Sequence, residues 1–194
     1  MSVPSVRVAA SEERQAVLQT LMLAFAADPL VRWLTPKAET FLGMMMPFFD
    51  AYGGRAFEHG TAYVAEEGRA AALWLPAGVE PDVETMAGLM QESADPEVRD
   101  DAFAVLEAMG RFHPESPCWY LPIIGADPAH QGQGLGAALM KHALQRCDGE
   151  GQVAYLESSN ERNVTLYQRH GFEIMGQIQQ GSSPVVTPMI RLPR

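Results

Sequence analysis

One stretch constrains this chain more than any other. A β-prone run, Trp119–Ala126, leads through Asp127-Pro128-Ala129-His130 into Gln131-Gly132-Gln133-Gly134-Leu135-Gly136 and then a helical pattern reaching Cys147. Leu135, Ala138, Leu139 and Ala143 recur at helical spacing, so this helix has an apolar face to lay on a sheet. The glycines fall at the helix start, where the first backbone N–H groups have no internal partner. Without Cβ atoms there, an anion can approach those N–H groups, and the helix dipole adds to the attraction. The spacing predicts a pyrophosphate cradle between a strand and a helix. It is not a Walker loop, because Ala137 and not Lys follows Gly136. It is GxGxG, not the dinucleotide GxGxxG, and no βαβ unit precedes it. Glu157 does end the next strand about 20 residues on, which leaves a nicotinamide-binding reading weakened but open.

The remaining pattern is mixed α/β in a single domain, 1–194, with a helical insertion at about 81–112. Val6–Ala9 reads as a strand. Ser11-Glu12-Glu13 signals a helix carrying Val17, Leu18, Leu21, Met22 and Phe25, which Asp28-Pro29 is expected to end. A helix over Ala38–Tyr52 is expected to be kinked or divided at Pro47. Thr61–Ala65 and Ala70–Leu75 form a hairpin turning at Glu66-Glu67-Gly68. Helices follow over Pro81–Gln91 and Pro96–Phe112. The C-terminal part reads as a strand at Val153–Glu157, a helix at Arg162–His170 capped by Gly171, and strands at Phe172–Ile178 and Val185–Leu192.

The 194 residues carry 14 Lys and Arg against 24 Asp and Glu, a net charge of -10. That field repels phosphate backbones, so nucleic acid is not an expected partner, and it leans weakly toward a cationic small molecule. The longest apolar runs, Phe41–Phe49 and Ala70–Pro76, fall well short of the ~20 residues that cross a bilayer, so no membrane role is expected. Met1–Ala10 lacks the apolar core of a signal peptide, which makes the cytoplasm the expected location. Cys118 and Cys147 are far apart, and the five histidines show no metal-ligand spacing, so no metal is expected.

Gln131-Gly132-Gln133-Gly134-Leu135-Gly136 resembles the Q/R-x-x-G-x-G/A signature of the GNAT superfamily of acetyl-CoA-dependent N-acetyltransferases. Leu156-Glu157-Ser158-Ser159, Asn163, Tyr167 and Gly171-Phe172 match that family's next block in order and spacing. The closer resemblance is to puromycin N-acetyltransferase and similar bacterial enzymes. It rests on Ala24-Phe25-x-x-Asp28-Pro29, Ala72-x-Trp74-x-x-Pro76, Trp119-Tyr120-Leu121 and Gly125-x-x-Pro128-x-His130-Gln131-Gly132.

The resemblance implies a mostly antiparallel central sheet flanked by helices, with two parallel strands splayed apart to admit acetyl-CoA. Ile124, Gly125 and Ala126 would offer main-chain groups to the pantetheine, and residues 131–136 would hold the pyrophosphate. Asn163 would contact the CoA arm, and Tyr167 would protonate the departing thiolate. A phenol at pKa ~10 can serve a thiol of pKa ~8.5. Pro122, unable to donate a ladder hydrogen bond, suits an interrupted or bulged first strand. Gly125 suits close approach of a ligand or tight packing, and both stay open. Glu157 is the best local candidate for the base, with Glu66, Glu67, Asp28 and His113 behind it; Glu157 as a structural partner of a helix N-terminus is an equal reading.

The expected function is transfer of an acetyl group from acetyl-CoA to the primary amine of a small molecule or a peptide N-terminus, by direct attack in a ternary complex. The rival is a non-catalytic CoA-binding sensor or interaction module on the same fold. A homodimer stays open. Met44-Met45-Met46 with Phe48 and Phe49, and Trp33 and Trp74, are read as core first and as pocket walls second.

Overall fold

Strands β2 (Ala62–Ala65) and β3 (Ala70–Leu75) are buried at every position. That is why they read as unbroken apolar runs and not as alternating ones: helices cover both faces of the sheet. The computed structural model describes residues 4–194. Its sheet has seven strands, the others being β1 (Val6–Val8), β4 (Trp119–Ala126), β5 (Ala154–Ser158), β6 (Glu173–Ile174) and β7 (Thr187–Arg191). Their spatial order is β1-β2-β3-β4-β5-β7-β6, and every neighbouring pair is antiparallel except β4 and β5. The mixed, mostly antiparallel sheet is therefore present as expected.

Helices α1 (Arg14–Phe25), α2 (Pro29–Leu34), α3 (Ala38–Gly53), α4 (Val83–Ser93) and α5 (Arg99–Phe112) contribute to the core on one face. There they meet Ala71, Leu73, Tyr120 and Tyr155. Helices α6 (Leu135–Gly149) and α7 (Glu161–Arg169) cover the other, against Ala72, Trp74, Trp119 and Leu156. Among the described residues no helix is long and apolar enough to cross a membrane.

Three expectations need correction. Asp28-Pro29 does not simply end a helix. The Asp28 side chain accepts hydrogen bonds from the Leu30 and Val31 amides and starts α2, with Pro29 in its first turn. Pro47 does not divide α3, which runs from Ala38 to Gly53 as one helix. The strand expected over 172–178 shrinks to Glu173–Ile174, with a lone bridge from Ile178 to Val186. Between them Gly176 lies so close to the Phe112 ring of α5 that a Cβ would come within 2.9 Å, and the chain leaves the sheet to pass it.

The feature that positions the site is the way β4 and β5 part. Parallel pairing covers Trp119–Ala154, Tyr120–Tyr155 and Leu121–Leu156 and then stops, although β4 runs on to Ala126. On its other edge β4 stays with β3, but Leu73 opposes Ile123 while Leu75 opposes Tyr120, so β4 carries one extra residue in that interval. This is a bulge containing Leu121 and Pro122, and a bulge bends and twists its strand. Pro122 has no N–H to lose at the step where pairing to β5 ends.

Beyond the bulge, Gly125 faces α1. A Cβ on it would lie 2.5 Å from the Ala24 Cβ, with Leu21 and Phe25 each at 3.5 Å. Packing therefore accounts for this glycine. Gly125→Ala should lower stability by ~1–3 kcal/mol through overpacking. Adding Ala24→Gly should restore part of it, read as the urea midpoint of the double variant against the single one.

Candidate active site

An open cleft begins where β4 and β5 separate. The backbone of β4 facing it follows from the ladder on the opposite edge. The Asp127 amide donates to the Arg69 carbonyl of the β2–β3 hairpin at 2.9 Å. Amide and carbonyl directions alternate along an antiparallel strand, so Gly125 and Ile123 also turn theirs toward β3. Ile124 and Ala126 turn theirs away, into the gap left by β5. Of the three residues expected to offer main-chain groups to a donor, Ile124 and Ala126 are placed with theirs toward the gap. Gly125 is not: its N–H and C=O belong to the β3 ladder and its Cα to α1.

The glycine loop lies at the start of α6, a 15-residue helix. Gly132 and Gly134 have φ of +75° and +79°, a left-handed conformation that L side chains rarely adopt. A Cβ at either would project into open space, so these glycines answer to the turn and to what approaches it, not to crowding. Gln131, Gly132, Gln133 and Gly134 are exposed. Leu135 is buried in the core under α6 and contributes to the loop only by its backbone. Gly136 lies beside Leu166 of α7, whose Cδ2 would make ordinary contact with an added Cβ at 3.5 Å.

Tyr167, Asn163 and Glu157 all line the cleft. Asn163 is exposed, one turn before Tyr167 on α7. Tyr167 is 5% exposed, and its hydroxyl is held above the usual phenol range by burial, with the nearby charge of Asp28 adding to it. It is therefore a protonated group at any physiological pH. Asp28 is itself buried. Burial raises its pKa against hydrogen bonds from the Ser159 hydroxyl at 2.7 Å and from the first turn of α2, so it ties α2 to the β5–α7 loop.

Glu157 sits in the cleft floor, enclosed on every side but the opening. Burial pushes its carboxyl up to about 7, against a hydrogen bond donated by the Tyr120 hydroxyl at 2.7 Å. Tyr120 is hydrogen-bonded in turn to the Tyr52 hydroxyl at the end of α3. Tyr155 pulls weakly on the same carboxylate, although its buried hydroxyl lacks a hydrogen bond of good geometry. The His113 ring packs edge-on against Tyr120 and Tyr155 at 5.0 and 4.9 Å, and burial lowers its pKa. Glu157 thus partners a tyrosine and not a helix N-terminus. Glu66 and Glu67 are remote from it: both lie on the β2–β3 turn at positive φ, with Glu66 held by Ser5.

Sequence profiles of known families bear on this geometry. The profile of the acetyltransferase (GNAT) family matches residues 46–172, well over half of the chain. The chain belongs to that family. Over 61 residues, 27% of this chain and 20% of the relative, it is 44% identical to a mycothiol acetyltransferase from Mycolicibacterium gilvum. Over 76 residues, 38% of this chain and 46% of the relative, it is 34% identical to the N-alpha-acetyltransferase RimI of Mycobacterium tuberculosis. It therefore spans less than half of each of these curated relatives. A crystal structure of histone acetyltransferase HPA2 and related acetyltransferase from Corynebacterium glutamicum matches 100% of this chain and 98% of its own. The TM-score is 0.71 at 24% identity, which shows a common fold. The narrower likeness to puromycin acetyltransferases rests on the quoted residues alone.

In this GNAT chain the sequence reading missed the tyrosines around Glu157. Tyr155 and Glu157 alternate onto one face of β5, and the β4–β5 register sets Tyr120 opposite Tyr155. The strand period thus held part of the signal. Tyr52 held none, because only the packing of α3 brings it there. Met45, Phe48 and Phe49 do line the cleft, whereas Met44 is fully core. Trp33 lines the cleft and donates to the Ser182 hydroxyl at 3.0 Å, while Trp74 is fully buried.

A carboxyl whose folded pKa stands near 7 favours folding fully below its unfolded value near 4.5, and that contribution is lost as pH rises through about 7. The loss amounts to at most about 3 kcal/mol, less where the opening admits water. Glu157→Gln should therefore flatten the fall in unfolding free energy between pH 5 and pH 8, measured by urea denaturation at both.

Proposed function

We propose that this chain transfers the acetyl group of acetyl-CoA to a primary amine of a small molecule or of a peptide N-terminus, by direct attack in a ternary complex in the cytoplasm. The observation that carries this reading is that a protonated phenol and a carboxyl near neutrality, Tyr167 and Glu157, face one cleft at the point where β4 and β5 part.

The residues present fit the donor. The turn at Gly132 and Gly134 leaves open space before the N-terminus of α6, where backbone N–H groups and the helix dipole favour a diphosphate. Ile124 and Ala126 have main-chain groups free of the β3 ladder for an amide-bearing arm, and Asn163 adds a polar side chain. When bound, acetyl-CoA supplies an acetyl group activated as a thioester. Glu157 takes the proton that the ammonium must lose before its nitrogen can attack. Tyr167 gives its phenolic proton to the sulfur as the C–S bond breaks and the N–C bond forms. The nitrogen sheds its second proton to solvent as the amide forms, Glu157 releases the first and Tyr167 regains one, so the balance is one proton set free per amide made. A main-chain N–H of Ile124 or Ala126 stabilises charge gathering on the carbonyl oxygen.

Tyr167→Phe should lower kcat by ~100- to 10,000-fold with acetyl-CoA affinity retained, followed by thiol release and calorimetry. Unchanged turnover would remove Tyr167 from the chemistry, and binding without acetylation of any amine by the unmodified protein would leave a CoA sensor. Gly134→Val places a β-branched residue at φ +79° and a side chain before the helix start. Calorimetry should show acetyl-CoA binding abolished while far-UV circular dichroism stays close to that of the parent.

A further inference from the structure

The cleft walls beyond the donor side are helical, and their chemistry is one-sided. Trp33 of α2, Met45 and Phe48 of α3, Met86 and Met90 of α4 and Met109 of α5 face it. Four of these six are almost completely buried, so the wall meets the open volume chiefly through the half-buried Trp33 and Met109. Among the described residues, the cleft lining contains one carboxylate, Glu157, and no Lys, Arg or His. Arg99, one turn before Ala102 of that wall, does not line it and donates to the Ala94 carbonyl at 3.1 Å.

We infer that the acceptor is a primary amine with a single positive charge and a bulky apolar body, neither a polyamine nor a free amino acid. This rests on the acetyl-transfer reading above and narrows its substrate. One ammonium has one partner in the cleft, Glu157. A second ammonium, or an acceptor carboxylate, would be stripped of water against thioethers and aromatic rings with no counter-charge, which costs far more than the apolar contact returns. The net charge of -10 leans toward cations from outside, but salt screens it over about 8 Å, and the cleft wall decides what stays. Four methionines make that wall adaptable, so several apolar shapes fit and no single rigid one is required.

Three probes separate the possibilities. Phenethylamine has the ring and one ammonium; L-phenylalanine adds only a carboxylate; putrescine exchanges the ring for a second ammonium. Acetylation is followed by thiol release, and binding by calorimetry in the presence of CoA. Phenethylamine should exceed both others in kcat/KM by about 100-fold or more. From methylamine to butylamine, kcat/KM should rise roughly fourfold per methylene. Met109→Asp, on a partly exposed part of the wall, should lower the phenethylamine-to-putrescine ratio at least about tenfold. Putrescine or phenylalanine matching phenethylamine overturns the inference while leaving acetyl transfer intact. Phenethylamine bound more tightly than putrescine but never acetylated overturns the transfer reading and supports the assignment of the cleft. No binding of any of the three overturns the inference whichever amine is later found to react.

Discussion

The structure depends on a pairing that stops early. Strands β4 and β5 hold together for three residue pairs and then part, and the bulge containing Leu121 and Pro122 directs that parting. A parallel pair continued to Ala126 would have paired the Ile124 and Ala126 amides with β5 and closed the cleft. The extra residue also sets side-chain parity beyond it. Ile123 and Gly125 go to the α1 side and Ile124 and Ala126 to the α6 side, which is why Gly125 must be the residue that meets Ala24. One local irregularity thus fixes backbone direction, helix packing and cleft position together.

Around that opening the protein arranges two acidic protons of different strength. Tyr167 is kept neutral by burial beside Asp28, and Glu157 is brought near neutrality by burial against the Tyr120 hydrogen bond. Both depend on helices that lie far apart in sequence from the glycine loop. The α2–α5 wall excludes water from the floor, the Tyr52–Tyr120 hydrogen bond holds the hydroxyl that meets Glu157, and Asp28 fastens α2 to the β5–α7 loop. The same wall that tunes the carboxyl leaves the cleft almost free of charge.

Much of this was legible beforehand, and the reasons are physical. The strand–glycine–helix stretch carries its own geometry, because left-handed turns at 132 and 134 need glycine and an apolar stripe needs a sheet. Pro122 announced an interrupted strand, since a proline cannot serve a central ladder. What misled were residues with two local meanings. Asp28-Pro29 ends one helix and caps the next with the same atoms, and Gly125 suited ligand approach and tight packing alike, which only its helix neighbour decides. Pro47 breaks helices in general, yet α3 continues through it, with Met44, Met45, Phe48 and Phe49 on both sides of it buried in the core.

By itself the sequence determined most of the elements, the loop at the start of α6, and the spacing that sets Asn163 and Tyr167 one turn apart, because each follows from interactions within a few residues. Tertiary structure alone decided the proton affinity of Glu157 and the character of the cleft wall. Burial is set by what four distant helices place over a strand end, and no local pattern contains the dielectric that results.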